Sequence, residues 1–196
     1  MTTALVLIDM QVGIVAGQAQ PRRQRTLDRA YDTVAARLGT VTRKAREAEV
    51  PVVFVQHEDA ADPHLTAGSP GWQLRAEFMP EESDHVVVKA ACDAFHGTTL
   101  LDALRTLDIS HLVIGGALTP FCIDTTVRRA VSYGFDVTLL SDGQMSIDMG
   151  GWSYTQVIGH HNRILEGFSA GAHTVRLVRC SDLEFAVAPK GALKVS

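Results

Sequence analysis

Asp9, Lys89 and Cys122 are the side chains whose types and placement combine most readily into a reaction. Asp9 closes the apolar run Leu5–Ile8 and Lys89 closes His85–Val88. Cys122 follows a third run, Leu112–Gly116, through the segment Gly115-Gly116-Ala117-Leu118-Thr119-Pro120-Phe121. Nucleophilic catalysis needs a thiol or hydroxyl, a proton acceptor within reach, and a group that orients the acceptor. Thr119 is a good helix N-cap and Pro120 a good first helical residue, which predicts Cys122 at the third position of a helix. There the free amide N–H groups, the helix dipole and a nearby Lys89 cation would lower the thiol pKa and make thiolate accessible at neutral pH. Other readings exist for each residue alone. A free cysteine is most often a small buried hydrophobe, which accounts for Cys92 and Cys180, and Asp9 with Lys89 would be satisfied as a structural ion pair. A carboxylate ending an apolar strand is costly unless paired, and its coincidence with a helix-start cysteine favours catalysis.

The elements that must position these residues read as alternating β and α segments. Short β-branched runs at Leu5–Asp9, Val52–Gln56, His85–Lys89, Leu112–Gly116, Val137–Ser141 and Thr174–Val178 predict six strands. Apolar residues at helical spacing predict helices over Leu27–Ala48, Thr98–Leu107, Pro120–Tyr133 and Trp152–Phe168. The pattern is that of an α/β fold: three layers, a doubly wound, mostly parallel six-stranded sheet with helices on both faces. Ligands of such sheets bind at the carboxyl ends of the strands, near the switch in strand order, where Asp9, Lys89 and Cys122 all fall. Residues 57–84 form the longest irregular stretch, rich in Asp, Pro, Gly and Ser around Trp72, and read as a substrate loop.

Composition narrows the partners. The 196 residues fit one domain, 1–196, and 46% hydrophobic residues suffice for a core without staples. A formal charge of -4 gives no footprint for nucleic acid, and no basic amphipathic stretch suggests a membrane surface. The opening Met1-Thr2-Thr3 lacks the basic flank of a signal peptide, so a cytoplasmic location is expected. Three widely spaced cysteines make neither a disulfide framework nor a thiolate zinc cluster. A small-molecule substrate is the expected partner.

Leu5-Val6-Leu7-Ile8-Asp9-Met10-Gln11, Val87-Val88-Lys89 followed by Ala94-Phe95-His96-Gly97-Thr98, and Gly115 through Thr126 resemble, in order, the aspartate, lysine and cysteine segments of the isochorismatase-like cysteine hydrolases. Ser141-Asp142-Gly143 resembles the turn after that family's next strand, so the likeness covers nearly the whole chain. The resemblance implies a catalytic triad of Asp9, Lys89 and Cys122 in an amidohydrolase acting on a carbon–nitrogen bond. It also implies a cis peptide at Ala117-Leu118, an oxyanion hole from the Leu118 and Cys122 amides, and a homo-oligomer, dimer or larger. By the same analogy Trp72, Phe95 and Phe121 would line a compact substrate pocket, although aromatic residues in loops also serve as core plugs. The apolar tail around Leu183, Phe185 and Val187 would pack on a neighbour or close its own sheet.

No cofactor or metal is expected. Nicotinamidases of that family carry an Asp-x-His metal site after the second strand, where this chain reads Gln56-His57-Glu58-Asp59, and His57, His64 and His96 lack ligand spacing. Gly68 through Leu74 with His57 instead resembles a metal-free branch that includes streptothricin hydrolase. No Gly-x-Gly-x-x-Gly follows the first strand, which removes a dinucleotide cofactor. Two readings compete with the amidase: a non-catalytic binder or scaffold on the same fold, and a vinyl ether hydrolase of the isochorismatase type, which the cysteine opposes.

Overall fold

A computed structural model describes residues 2–186 of the chain. Strand β1 (Thr3–Ile8) leads to the long helix α1 (Pro21–Glu47), then β2 (Val52–His57), a short 3-10 turn (Ala76–Phe78) and β3 (His85–Lys89). Helix α2 (Leu100–Thr106), β4 (His111–Ala117), a π-type turn (Thr119–Ile123), α3 (Asp124–Ser132) and β5 (Asp136–Met145) follow. The described chain closes with α4 (Tyr154–Leu165), β6 (Ser169–Ala170) and β7 (His173–Val178).

The sheet order is β3-β2-β1-β4-β5-β7-β6, parallel throughout except for β6, which pairs antiparallel with β7. It has seven strands where the sequence predicted six. The extra one is two residues long, too short for any alternation signal, and arises because the chain folds back at Gly171 to run into β7. It lies just past the predicted Trp152–Phe168 helix, which in fact stops at Leu165. That helix starts at Tyr154 on a capping box formed by Ser153 and Gln156.

Helices cover both faces. Leu27, Tyr31, Val34, Leu38, Val41 and Ala45 of α1 pack with Leu5, Leu7, Phe54 and Val113 on one side. On the other, Leu100 and Leu104 of α2 and Val127 and Ala130 of α3 pack with Val6, Ile8, Val55 and Ile114. Ala4 through Ile8 are at most 1% exposed, as expected for a central parallel strand buried on both faces. Each fully buried aliphatic side chain there is worth about 1.5–3 kcal/mol. Val187 of the predicted apolar tail lies outside the described residues, while Leu183 and Phe185 pack on the α1 side of the sheet.

The strand order reverses between β1 and β4, and the two strands must approach closely there. Gly116 makes this possible: its φ is +133°, and a Cβ on it would lie 2.0 Å from the Ile8 carbonyl oxygen. Gly116→Ala is expected to destabilise the fold by about 3 kcal/mol, read as a lowered denaturant midpoint. An unchanged midpoint would show that this contact does not set the β1–β4 spacing.

Candidate active site

Asp9, Lys89 and Cys122 meet beyond the carboxyl ends of β1, β3 and β4. Asp9 is the first residue past β1. Its N–H still donates to the Val55 carbonyl at 2.8 Å, but its φ of 53° turns the chain out of the sheet. Left-handed backbone outside glycine is uncommon, is better tolerated by aspartate than by most residues, and concentrates at functional sites. Lys89 is the last residue of β3. Cys122 sits in the Thr119–Ile123 turn, where the Ile123 N–H reaches back to the Leu118 carbonyl, and Thr119 Oγ1 ties the turn to the Met145 carbonyl of β5 at 3.0 Å. The α-helix begins only at Asp124. The sequence placed Cys122 in the first turn of an α-helix. Instead a wider π-type turn carries it, running directly into α3, so that Cys122 still lies at the N-terminal end of the helical segment.

Lys89 is the hub. Its Nζ lies 2.8 Å from Asp9 Oδ2 and donates to Cys122 Sγ at 3.2 Å and to the Ala91 carbonyl at 3.0 Å. The side chains of Lys89 and Asp9 are fully buried and Cys122 is 8% exposed. Asp9 faces both the ammonium and the thiol, and a carboxylate with two oxygens keeps lone pairs free to take a proton.

The charges follow from burial. Desolvation pushes the Cys122 thiol well up, Asp9 adds to that, and Lys89 opposes it without prevailing. Burial also raises the Asp9 carboxyl, against the pull of Lys89 and of the thiol hydrogen bond, which makes it a stronger base than an exposed aspartate. For Lys89 burial works to lower the pKa, but Asp9 and Cys122 outweigh it and the ammonium is held above its ordinary value. Burial thus favours the protonated forms of Cys122 and Asp9, and the ion-pair partners favour the ammonium of Lys89. Burial of the sulfur works against the thiolate expected at neutral pH, and the Lys89 ammonium 3.2 Å away works for it.

The remaining predicted residues separate. Leu118 follows a cis peptide bond with Ala117, and its N–H makes no hydrogen bond among the described residues. Phe121, in the same turn as Cys122, is 41% exposed. Trp72 is half-buried on the 57–84 loop, and its carbonyl accepts from Gln11 and Gln56 side chains at 2.8 and 2.7 Å. Phe95 is buried, with its ring against Tyr133 at 5.3 Å and Phe135 at 6.2 Å, the packing of a core residue. Its loop is fastened to α3 by the Ala94 N–H donating to Thr126 Oγ1.

Two residues at the site escaped nomination. Gln11 is fully buried, and its side-chain amide clasps both main-chain groups of His57, accepting from its N–H at 2.7 Å and donating to its carbonyl at 2.8 Å. His57, thus held, places Nδ1 3.2 Å from Lys89 Nζ. His57 carried the signal of a polar residue at the end of a buried strand, as Asp9 does just past its own, and Gln11 lies three residues beyond β1. Among the described residues no group of three His, Cys, Asp or Glu side chains is arranged to hold a metal ion, and no helix is long and apolar enough to cross a membrane.

Comparison with known proteins identifies the family and agrees with the fold. A family model described as the isochorismatase domain matches residues 3–156. Streptothricin hydrolase of Streptomyces noursei is 31% identical over 147 residues, covering 74% of this chain and 50% of that one, so the match spans about half the length of that relative. Ureidoacrylate amidohydrolase RutB of Variovorax paradoxus is 28% identical over 172 residues, covering 71% of this chain and 67% of the relative. A solved structure described as an isochorismatase hydrolase from Oleispira antarctica has a TM-score of 0.79 at 28% identity, covering 92% of this chain and 94% of its own.

Proposed function

This chain belongs to the isochorismatase family, and on that premise we propose that it hydrolyses a carbon–nitrogen bond of a small amide, lactam or ureide through an acyl-enzyme on Cys122. The observation that carries the reading is that one buried ammonium, Lys89, reaches both the Asp9 carboxylate and the Cys122 sulfur. Two relatives, named as streptothricin hydrolase and ureidoacrylate amidohydrolase, support the choice of bond. The cysteine itself favours this over the vinyl ether reaction.

In this reading Asp9 takes the Cys122 proton as Sγ adds to the substrate carbonyl carbon, so the sulfur never waits as a free thiolate. The carbonyl π electrons move to oxygen, where the Leu118 and Cys122 amides would receive the charge. Asp9 then passes its proton to the leaving nitrogen and the C–N bond breaks, which frees ammonia or an amine from an open-chain amide and leaves the amine tethered to the thioester when a lactam ring opens. Water, deprotonated by the same carboxylate, adds to the thioester carbonyl. Collapse expels the sulfur, which regains its proton, and releases the acid. Lys89 balances the negative charge as it moves between oxygen and sulfur, and no cofactor enters any step.

The test is to incubate the protein with a panel of small primary amides, lactams and ureides, measure ammonia or amine release, and quench for intact-protein mass. The expected result is an acyl adduct on Cys122 that builds up within the first turnover and is removed by hydroxylamine. Release without any adduct on Cys122, or no release from any member of the panel, would overturn the proposal.

A further inference from the structure

His57 is bound to the Lys89 hub yet has no part in the steps above. It ends β2 in register with Lys89 on β3, and its Nδ1 lies 3.2 Å from the ammonium. An ammonium carries only donors, so Nδ1 must be the accepting nitrogen, and a neutral imidazole accepting there carries its proton on Nε2. The neutral form is the one favoured. Burial and Lys89 lower the His57 pKa, with Asp9, Asp59 and Asp62 opposing them. The ring is also fixed in place, because Gln11 grips the His57 backbone from both sides and is itself held to the Trp72 carbonyl. Nε2 makes no hydrogen bond among the described residues and is not among their buried unpartnered atoms, so it opens to the half-exposed side of the ring.

We infer that His57 is a specificity-determining donor: Lys89 fixes its tautomer so that Nε2–H stands ready at the crevice, selecting substrates with a second acceptor oxygen or nitrogen close to the scissile amide. The class selected is a malonamide-like, ureide or imide-like compound in preference to a simple aliphatic amide. A preorganised donor left without an acceptor loses its water partner for nothing in return, which is how such sites reject analogues. The inference rests on the amide reading above, so its test has a second readout that needs no turnover.

Malonamide and isovaleramide share one carbon–heteroatom skeleton and differ in whether a second carboxamide or an isopropyl group stands beside the scissile amide. Wild type, His57→Phe and His57→Gln would be compared for ammonia release from each. Protection of Cys122 from iodoacetamide by each compound would be mapped by mass. Wild type is expected to favour malonamide by at least about tenfold in both readouts, whereas His57→Phe brings the ratio to within about twofold. His57→Gln, whose side-chain amide nitrogen reaches the place of Nε2, is expected to recover most of the preference. A wild-type ratio near one, or a ratio that survives in His57→Phe, overturns the inference. If Cys122→Ala still released ammonia the acyl-enzyme on Cys122 would fall alone, because protection measured in the cysteine-bearing proteins decides on His57 separately.

Discussion

Cys122→Ala is expected to lower amide turnover by about 10⁴-fold or more with little change in fold. The sulfur is the atom that bonds to the substrate, and alanine offers nothing in its place. What survives is the contribution of binding and of the oxyanion donors, which in cysteine and serine hydrolases leaves a small residual rate. The structural cost is modest because Lys89 keeps Asp9, the Ala91 carbonyl and His57 as partners when the sulfur goes. Removal of one buried sulfur atom is worth roughly 1 kcal/mol. Ammonia release from the best amide of the panel, with a denaturant titration of the same sample, checks both halves. Turnover retained within tenfold would mean that Cys122 is a packing residue.

Asp9→Asn should lose turnover on the order of 10³- to 10⁴-fold and, unlike the cysteine variant, should lose stability as well. The carboxylate is the only base close to the thiol proton in the proposed steps, and an amide cannot replace it. Its absence also leaves the Lys89 ammonium, fully buried, without a counter-charge, a change that costs about 3–5 kcal/mol in buried pairs. The two losses can be told apart. Asp9→Asn combined with Lys89→Met removes the stranded charge and should recover most of the stability with none of the activity. Denaturant midpoints and ammonia release on the single and double variants make the comparison. If the double variant were as unstable as the single one, the pair would owe its stability to packing and not to charge.

The placement of Asp9, Lys89 and Cys122 was legible in the sequence because strand ends are marked by apolar runs, and an open parallel sheet puts those ends on one edge. Their burial was not legible. Burial of the sulfur depends on how β4 and its following turn seat against β5, and nothing in Gly115 through Cys122 says that the turn will be π-type. Phe95 misled for a related reason: a loop aromatic reads the same whether it faces a crevice or Phe135. The short β6 had no periodicity to announce it. Gln11 and His57 acquire meaning only from each other, since the grip of one on the other's backbone joins the segment after β1 to the end of β2, which the sequence gives no reason to pair in detail.

The position of β1 at the middle of the sheet has a consequence for how the protein comes into being. Thr3 and His111 are neighbours in the sheet although 108 residues separate them along the chain. The strand made first therefore keeps one edge open until β4 docks, a long-range closure of the kind that slows folding. Strands β1, β2 and β3 bring in the carboxylate and the ammonium early, but the sulfur arrives only with the closing strand. A chain that stalls with its central edge unpaired holds the carboxylate and the ammonium but no nucleophile. Turnover per molecule thus counts only those chains whose sheet has closed.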